Sequence, residues 1–170
     1  MILNRQRTVR VARPPLEAFL ARVREQLRLN GAEITVCLVS DPAIAHMNET
    51  FRHKKGPTDV LSFPSEDSKQ GFVGASLQGA RAKRQRDAAP SSRRLSKNSP
   101  PIVDAHSLGD IAISPATARR NAKKYNRTLP SELQILILHG VLHLLGYDHE
   151  TDRGQMTRIE HRLRRKLGLS

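Results

Sequence analysis

The stretch Leu138 to Glu150, LHGVLHLLGYDHE, carries three histidines inside one of the most apolar runs of an otherwise polar and basic chain. A buried imidazole without a partner costs free energy, so three at fixed spacing need a shared partner. His139 and His143 are four apart; on a helix their side chains leave the same face one turn apart and converge. Gly146 then ends the helix, as a residue that tolerates left-handed backbone does. The chain returns through Tyr147 and Asp148 and brings His149 toward the same point, giving H-x-x-x-H-x-x-G-x-x-H. The helix that holds the pattern is apolar nearly all round from Leu133 to Leu145, and a helix apolar on every side belongs in a core.

The spacing resembles the ligand pattern of the metzincin peptidases. Three neutral imidazoles with one open position suit a catalytic zinc ion, whereas structural zinc usually takes four protein ligands. His139, His143 and His149 are therefore the candidate metal ligands, for one Zn²⁺; nickel, cobalt, copper or iron would also accept three imidazoles. In the peptidase motif a Glu follows the first His and serves as general base. Here that residue is Gly140, so the metal tripod is expected without the peptidase's base.

Nearer the N-terminus, Leu16, Phe19, Leu20, Val23 and Leu27 repeat at helical steps and stop at Asn30-Gly31. EITVCLVS reads as a strand, and Ser40-Asp41-Pro42 starts a helix to about Phe51. VLSFP (60–64) and GDIAIS (109–114) are two further strands, and the N-terminal alternation up to Pro14-Pro15 is a fourth. Helices follow from Ser114 to about Tyr125, from Pro130, and over Met156, Ile159, Leu163 and Leu167. Four strands and five helices are expected in a single domain, 1–170. Residues 65–107 interrupt the pattern, with eight Lys or Arg against four acids and no apolar period. That composition reads as a flexible basic insertion, either a solvated loop or an RNA-contacting arm.

The 170 residues carry 29 Lys and Arg against 16 Asp and Glu, for a net charge of +13. Such an excess favours a partner with a phosphate backbone over a peptide substrate. Cys37 is the only cysteine, which excludes an intramolecular disulfide and a cysteine-based zinc cluster. No apolar run reaches the roughly 18 to 20 residues a bilayer requires, and the N-terminus lacks a secretory h-region. The expectation is a soluble, cytoplasmic protein with no membrane contact.

FRHKKGPTDVLSFP (51–64), LGDIAIS (108–114) and HGVLHLLGYDHE (139–150) occur in that order, and together they resemble the YbeY family of rRNA-maturation endoribonucleases. The resemblance implies an α+β fold with one small mixed sheet packed by helices and a metzincin-like metal-binding helix. It implies a single-strand-specific, zinc-dependent endoribonuclease acting at the 16S rRNA 3′ end and in ribosome quality control, in contact with the small ribosomal subunit. The family's zinc ligands fall on His139, His143 and His149, and its functional arginine falls on Arg52. The 43-residue linker between SFP and LGDI is longer and more basic than the family leads one to expect.

Arg52 and His139 are the candidate catalytic residues. A guanidinium fork suits a phosphate and the charge that develops on it. Asp148 and Glu150 are alternatives for a general base, and RNA's own 2′-hydroxyl makes a third option in which no protein base is needed. Asp59 reads equally as a turn-bracing residue. Met156 reads either as a Met-turn beneath the site or as plain core, and its place on the apolar stripe favours core. Two other functions remain open: a non-catalytic ribosome-assembly factor with a structural zinc, and a metallopeptidase that would need a replacement base. The sequence leaves oligomeric state open.

Overall fold

The computed structural model describes residues 1–29, 31–65, 107–148 and 152–169. In chain order these form β1 (Ile2–Asn4), α1 (Arg13–Gln26), β2 (Glu33–Leu38), α2 (Asp41–Arg52), β3 (Val60–Pro64), β4 (Ser107–Ile113), α3 (Pro115–Lys124), α4 (Leu129–Leu144) and α5 (Gln155–Leu167). The fold is α+β, with a four-stranded sheet ordered β1-β2-β4-β3. β1–β2 and β2–β4 are parallel and β3–β4 is antiparallel, so the sheet is mixed as expected.

The period of two along the strands divides the sheet into two faces. Ile34, Val36 and Leu38 of β2 with Ile111 and Ile113 of β4 join the main core, alongside Leu16, Phe19 and Val23 of α1 and Leu138, Val141 and Leu142 of α4. Leu61 and Ala112, on alternate positions, pack instead with Ile44 beneath α2, with Phe63 and Met47 at the margin. The run of apolar residues in α4 is explained by its place: Leu133, Ile135 to Leu138, Gly140 to Leu142 and Leu144 are all buried.

Three helices start with the caps their sequences specify. Ser40, Ser114 and Thr128 each accept a backbone N–H three residues on, with Pro in the first turn. Asp41 ties two of these starts together. It accepts from Ser114 Oγ, Thr117 Oγ1 and Arg120 Nη2. Burial pushes its carboxyl up, but the hydrogen bonds from Ser114, Arg120 and Thr117 outweigh this and hold it below the usual range.

Two expectations change. The N-terminal strand stops at Asn4 rather than running to Pro14, because the Gln6 side chain donates to Val9 O at 2.8 Å and accepts from Val9 N at 2.9 Å. That buried bracket turns the chain away from the ladder. The strand read as GDIAIS begins two residues earlier, since Ser107 already belongs to β4 and Ser65 N donates to Leu108 O. The rest of the basic insertion read at 65–107, residues 66–106, is not among the described residues.

Candidate active site

β3 is an edge strand, and its open side faces a cleft of about 430 Å³ bounded by the end of α2, by α4 and by the turn after it. His139 and His143 enter this cleft from α4, and Arg52 and Lys54 enter from the end of α2. The sequence-expected His pair and arginine therefore meet at one place.

The two imidazoles converge. Their Nε2 atoms lie 3.1 Å apart, and the rings meet at 77° with centroids 4.7 Å apart. Adjacent nitrogens of a tetrahedral zinc site, with Zn–N near 2.0–2.1 Å, are about 3.3 Å apart. The pair thus fits two corners of such a site. Among the described residues no set of three potential ligands converges. His149, the expected third ligand, and Glu150 lie outside the described residues.

Gly140 explains the missing peptidase base. It faces the sheet, where an added Cβ would stand 2.8 Å from Ile111 Cγ2 and 3.2 Å from Ser62 Oγ. Ser62 Oγ donates to Gly140 O at 3.2 Å across the same contact. A glutamate at 140 would collide with the core, so the close approach of α4 to β3 and β4 excludes that base by packing.

Arg52 occupies the last turn of α2 and is exposed on the cleft side. His53 takes left-handed backbone at φ 54° and ends the helix, with Lys54 N returning to Asn48 O. The buried Asn48 donates to Gly56 O at 3.0 Å, which pins the loop between α2 and β3. Asp59 uses one oxygen for Val60 N (2.9 Å) and Thr58 Oγ1 (3.2 Å), and the other for Asn121 Nδ2 (3.0 Å). Those bonds make it a brace for the cleft wall. Asp148 lines the cleft and is half-buried.

Met156 is 1% exposed and packs in the main core on α5, so the core reading holds. One contact was not foreseen. Glu160 Oε2 lies 3.2 Å from His139 Nδ1, and Glu160 also pairs with Arg164. Burial pushes the Glu160 carboxyl up, but the His139 hydrogen bond and the Arg164 charge bring it below the usual range. The signal available in the sequence was the Glu160–Arg164 spacing of four beside the buried stripe of α5.

A mixed α+β sheet whose edge strand, core-helix histidine pair and arginine share one cleft defines the class of protein to which the chain is similar. By fold it matches the solution structure of TM1509 from Thermotoga maritima, with a TM-score of 0.56 and 24% identity over 98% of this chain and 89% of that one. The family model described as Endoribonuclease YbeY matches residues 1–168. Endoribonuclease YbeY of Solibacter usitatus is 37% identical over 92% of this chain and 80% of its own length. That of Koribacter versatilis is 35% identical over 99% of this chain and 86% of its own. The chain belongs to the endoribonuclease YbeY family, and is accordingly a nuclease of the hydrolase class whose substrate is RNA.

Proposed function

We propose that the chain is a zinc-dependent endoribonuclease specific for single strands, acting on the 3′ end of 16S rRNA and in ribosome quality control in the cytoplasm, in contact with the small ribosomal subunit. The observation that carries the metal-dependent part is the convergence of two Nε2 atoms at 3.1 Å in the same cleft as Arg52. The RNA class rests on the family. The 16S target and ribosomal contact rest on the resemblance together with the net charge of +13. No described helix is long and apolar enough to cross a membrane.

His139, His143 and His149 would hold the ion. When bound, zinc supplies a Lewis acid that polarises a phosphoryl oxygen and lowers the pKa of water. The chain's own residues do the rest. Arg52 offers a planar fork to a phosphate oxygen and opposes the charge that grows there during cleavage. Lys54 adds a second positive charge along the same wall. Asp59 stays occupied with Thr58, Val60 and Asn121, which keeps the wall in register while a strand is seated. Asp59 and Asp148 both line the cleft, and with Asp59 bracing the wall it is Asp148 that would take a proton from the attacking oxygen, whether water or the RNA 2′-hydroxyl. Gly140, packed on Ile111, leaves no room for the glutamate that peptide hydrolysis would use.

The test is cleavage of a single-stranded RNA with a 16S-like 3′ extension, and of its fully duplexed form, by zinc-loaded protein, chelated protein and His143→Ala. Cutting of the single strand by the loaded protein alone, with the other two folded and RNA-bound, supports the proposal. Equal RNA binding with no cutting by any of the three points instead to an assembly factor whose zinc clasps the last helices.

A further inference from the structure

A charged side chain from another element, Glu160, reaches His139 of the His pair. Glu160 stands on α5, whose Met156, Ile159, Leu163 and Leu167 seat that helix in the core. Its side chain is 12% exposed, its Oε2 lies 3.2 Å from His139 Nδ1, and Arg164 holds the other oxygen one turn further along.

An ionised carboxylate only accepts hydrogen bonds, so the proton between the two groups belongs to Nδ1 of His139. A neutral imidazole carries one ring proton. With Nδ1 protonated, Nε2 presents a bare lone pair, and that nitrogen is the one 3.1 Å from His143 Nε2. In the metal-free chain the same constraint makes His143 Nε2 the donor and His139 Nε2 the acceptor.

We infer that Glu160 is the positioning residue of the metal site: it fixes His139 as the Nδ1-protonated tautomer, aims Nε2 at the ion and couples docking of α5 to metal uptake. The inference rests on the reading of His139 and His143 as metal ligands. Arg164 holds the carboxylate from the opposite side, so that Glu160 is oriented before any ion arrives. A carboxylate on the far nitrogen of a ligating histidine makes the ring a stronger donor, and its loss typically weakens metal binding about 10- to 100-fold.

The test uses the full chain and zinc alone. Zinc affinity is measured by competition with a chromophoric chelator for wild type, Glu160→Met and Glu160→Gln. The His139 tautomer is read in the metal-free protein at mildly alkaline pH from two-bond ¹H–¹⁵N correlations. The expected results are Nδ1–H at His139 in wild type, and a loss of zinc affinity of about 10- to 100-fold in Glu160→Met. Glu160→Gln, which keeps an acceptor oxygen without the charge, is expected between the two. Nε2–H at His139 in wild type would overturn the inference even where neither variant folds. So would an affinity in Glu160→Met within tenfold of wild type. Wild-type protein that takes up no zinc would remove the metal reading itself, and this inference with it.

Discussion

The two elements that furnish the cleft are opposites. α4 is buried along most of its length and packs against the sheet through Gly140, with only His139 and His143 turned toward the cleft. α2 buries only Ile44 and Asn48 and ends in an exposed arginine. A metal ligand must hold its angle and distance within narrow limits, so it profits from a rigid, close-packed helix. A group that meets a phosphate on a mobile strand needs reach, and a helix end beside a pinned loop gives it. The division of labour follows from burial: the core fixes the imidazoles, and the margin offers the cation.

The sharpest way to break that contrast is at the imidazoles. His143→Ala is expected to abolish zinc uptake and lower cleavage by more than about 10³-fold, measured by metal content and RNA cleavage together. Arg52→Ala should leave zinc content unchanged and lower kcat/KM about 10²- to 10³-fold, the range seen when one group that stabilises transition-state charge is removed. Arg52→Lys should recover only part of this, since a point charge does not replace the fork. An Arg52→Ala chain that loses its zinc would show that the margin supports the core after all.

Smaller effects test the packing. Gly140→Ala sets a helix-propensity gain of about 1 kcal/mol against overpacking of about 1–3 kcal/mol on the buried Ile111. A net destabilisation of about 1 kcal/mol in urea unfolding is expected. The least effect is expected from Asp41, which does not line the cleft. Its pKa is lowered in the folded chain, so the stability it adds is present above the ordinary aspartate pKa and lost as pH falls through the lowered folded value. Asp41→Asn should therefore flatten the acid limb of the stability profile and leave cleavage at neutral pH unchanged.

What could be read in the sequence follows the same contrast. The span of α4 and the meeting of His139 with His143 were legible because both follow from helical period and from burial on all sides. The role of Arg52 was not legible from composition, since an arginine at a helix end is ordinary; only the resemblance to a family singled it out. Strand order was closed to periodicity, which shows which residues share a face but not that β4 lies between β2 and β3. The length of β1 was misjudged because Val9 and Val11 continue an alternation that the Gln6 bracket interrupts. Glu160 was passed over because its partner His139 is 21 residues away, and a Glu–Arg pair at a spacing of four usually marks a solvated helix face.

The most direct test of the central claim, that the histidines of α4 hold a catalytic ion, is a zinc titration into metal-free protein with RNA cleavage rate and RNA affinity followed in the same samples. The cleavage rate is expected to rise linearly and level off at one zinc per chain, while RNA affinity stays within about twofold, because the basic surface and not the ion holds the strand. Cleavage at full rate before any zinc is added, or a zinc-saturated chain that binds RNA and does not cut it, would contradict that claim.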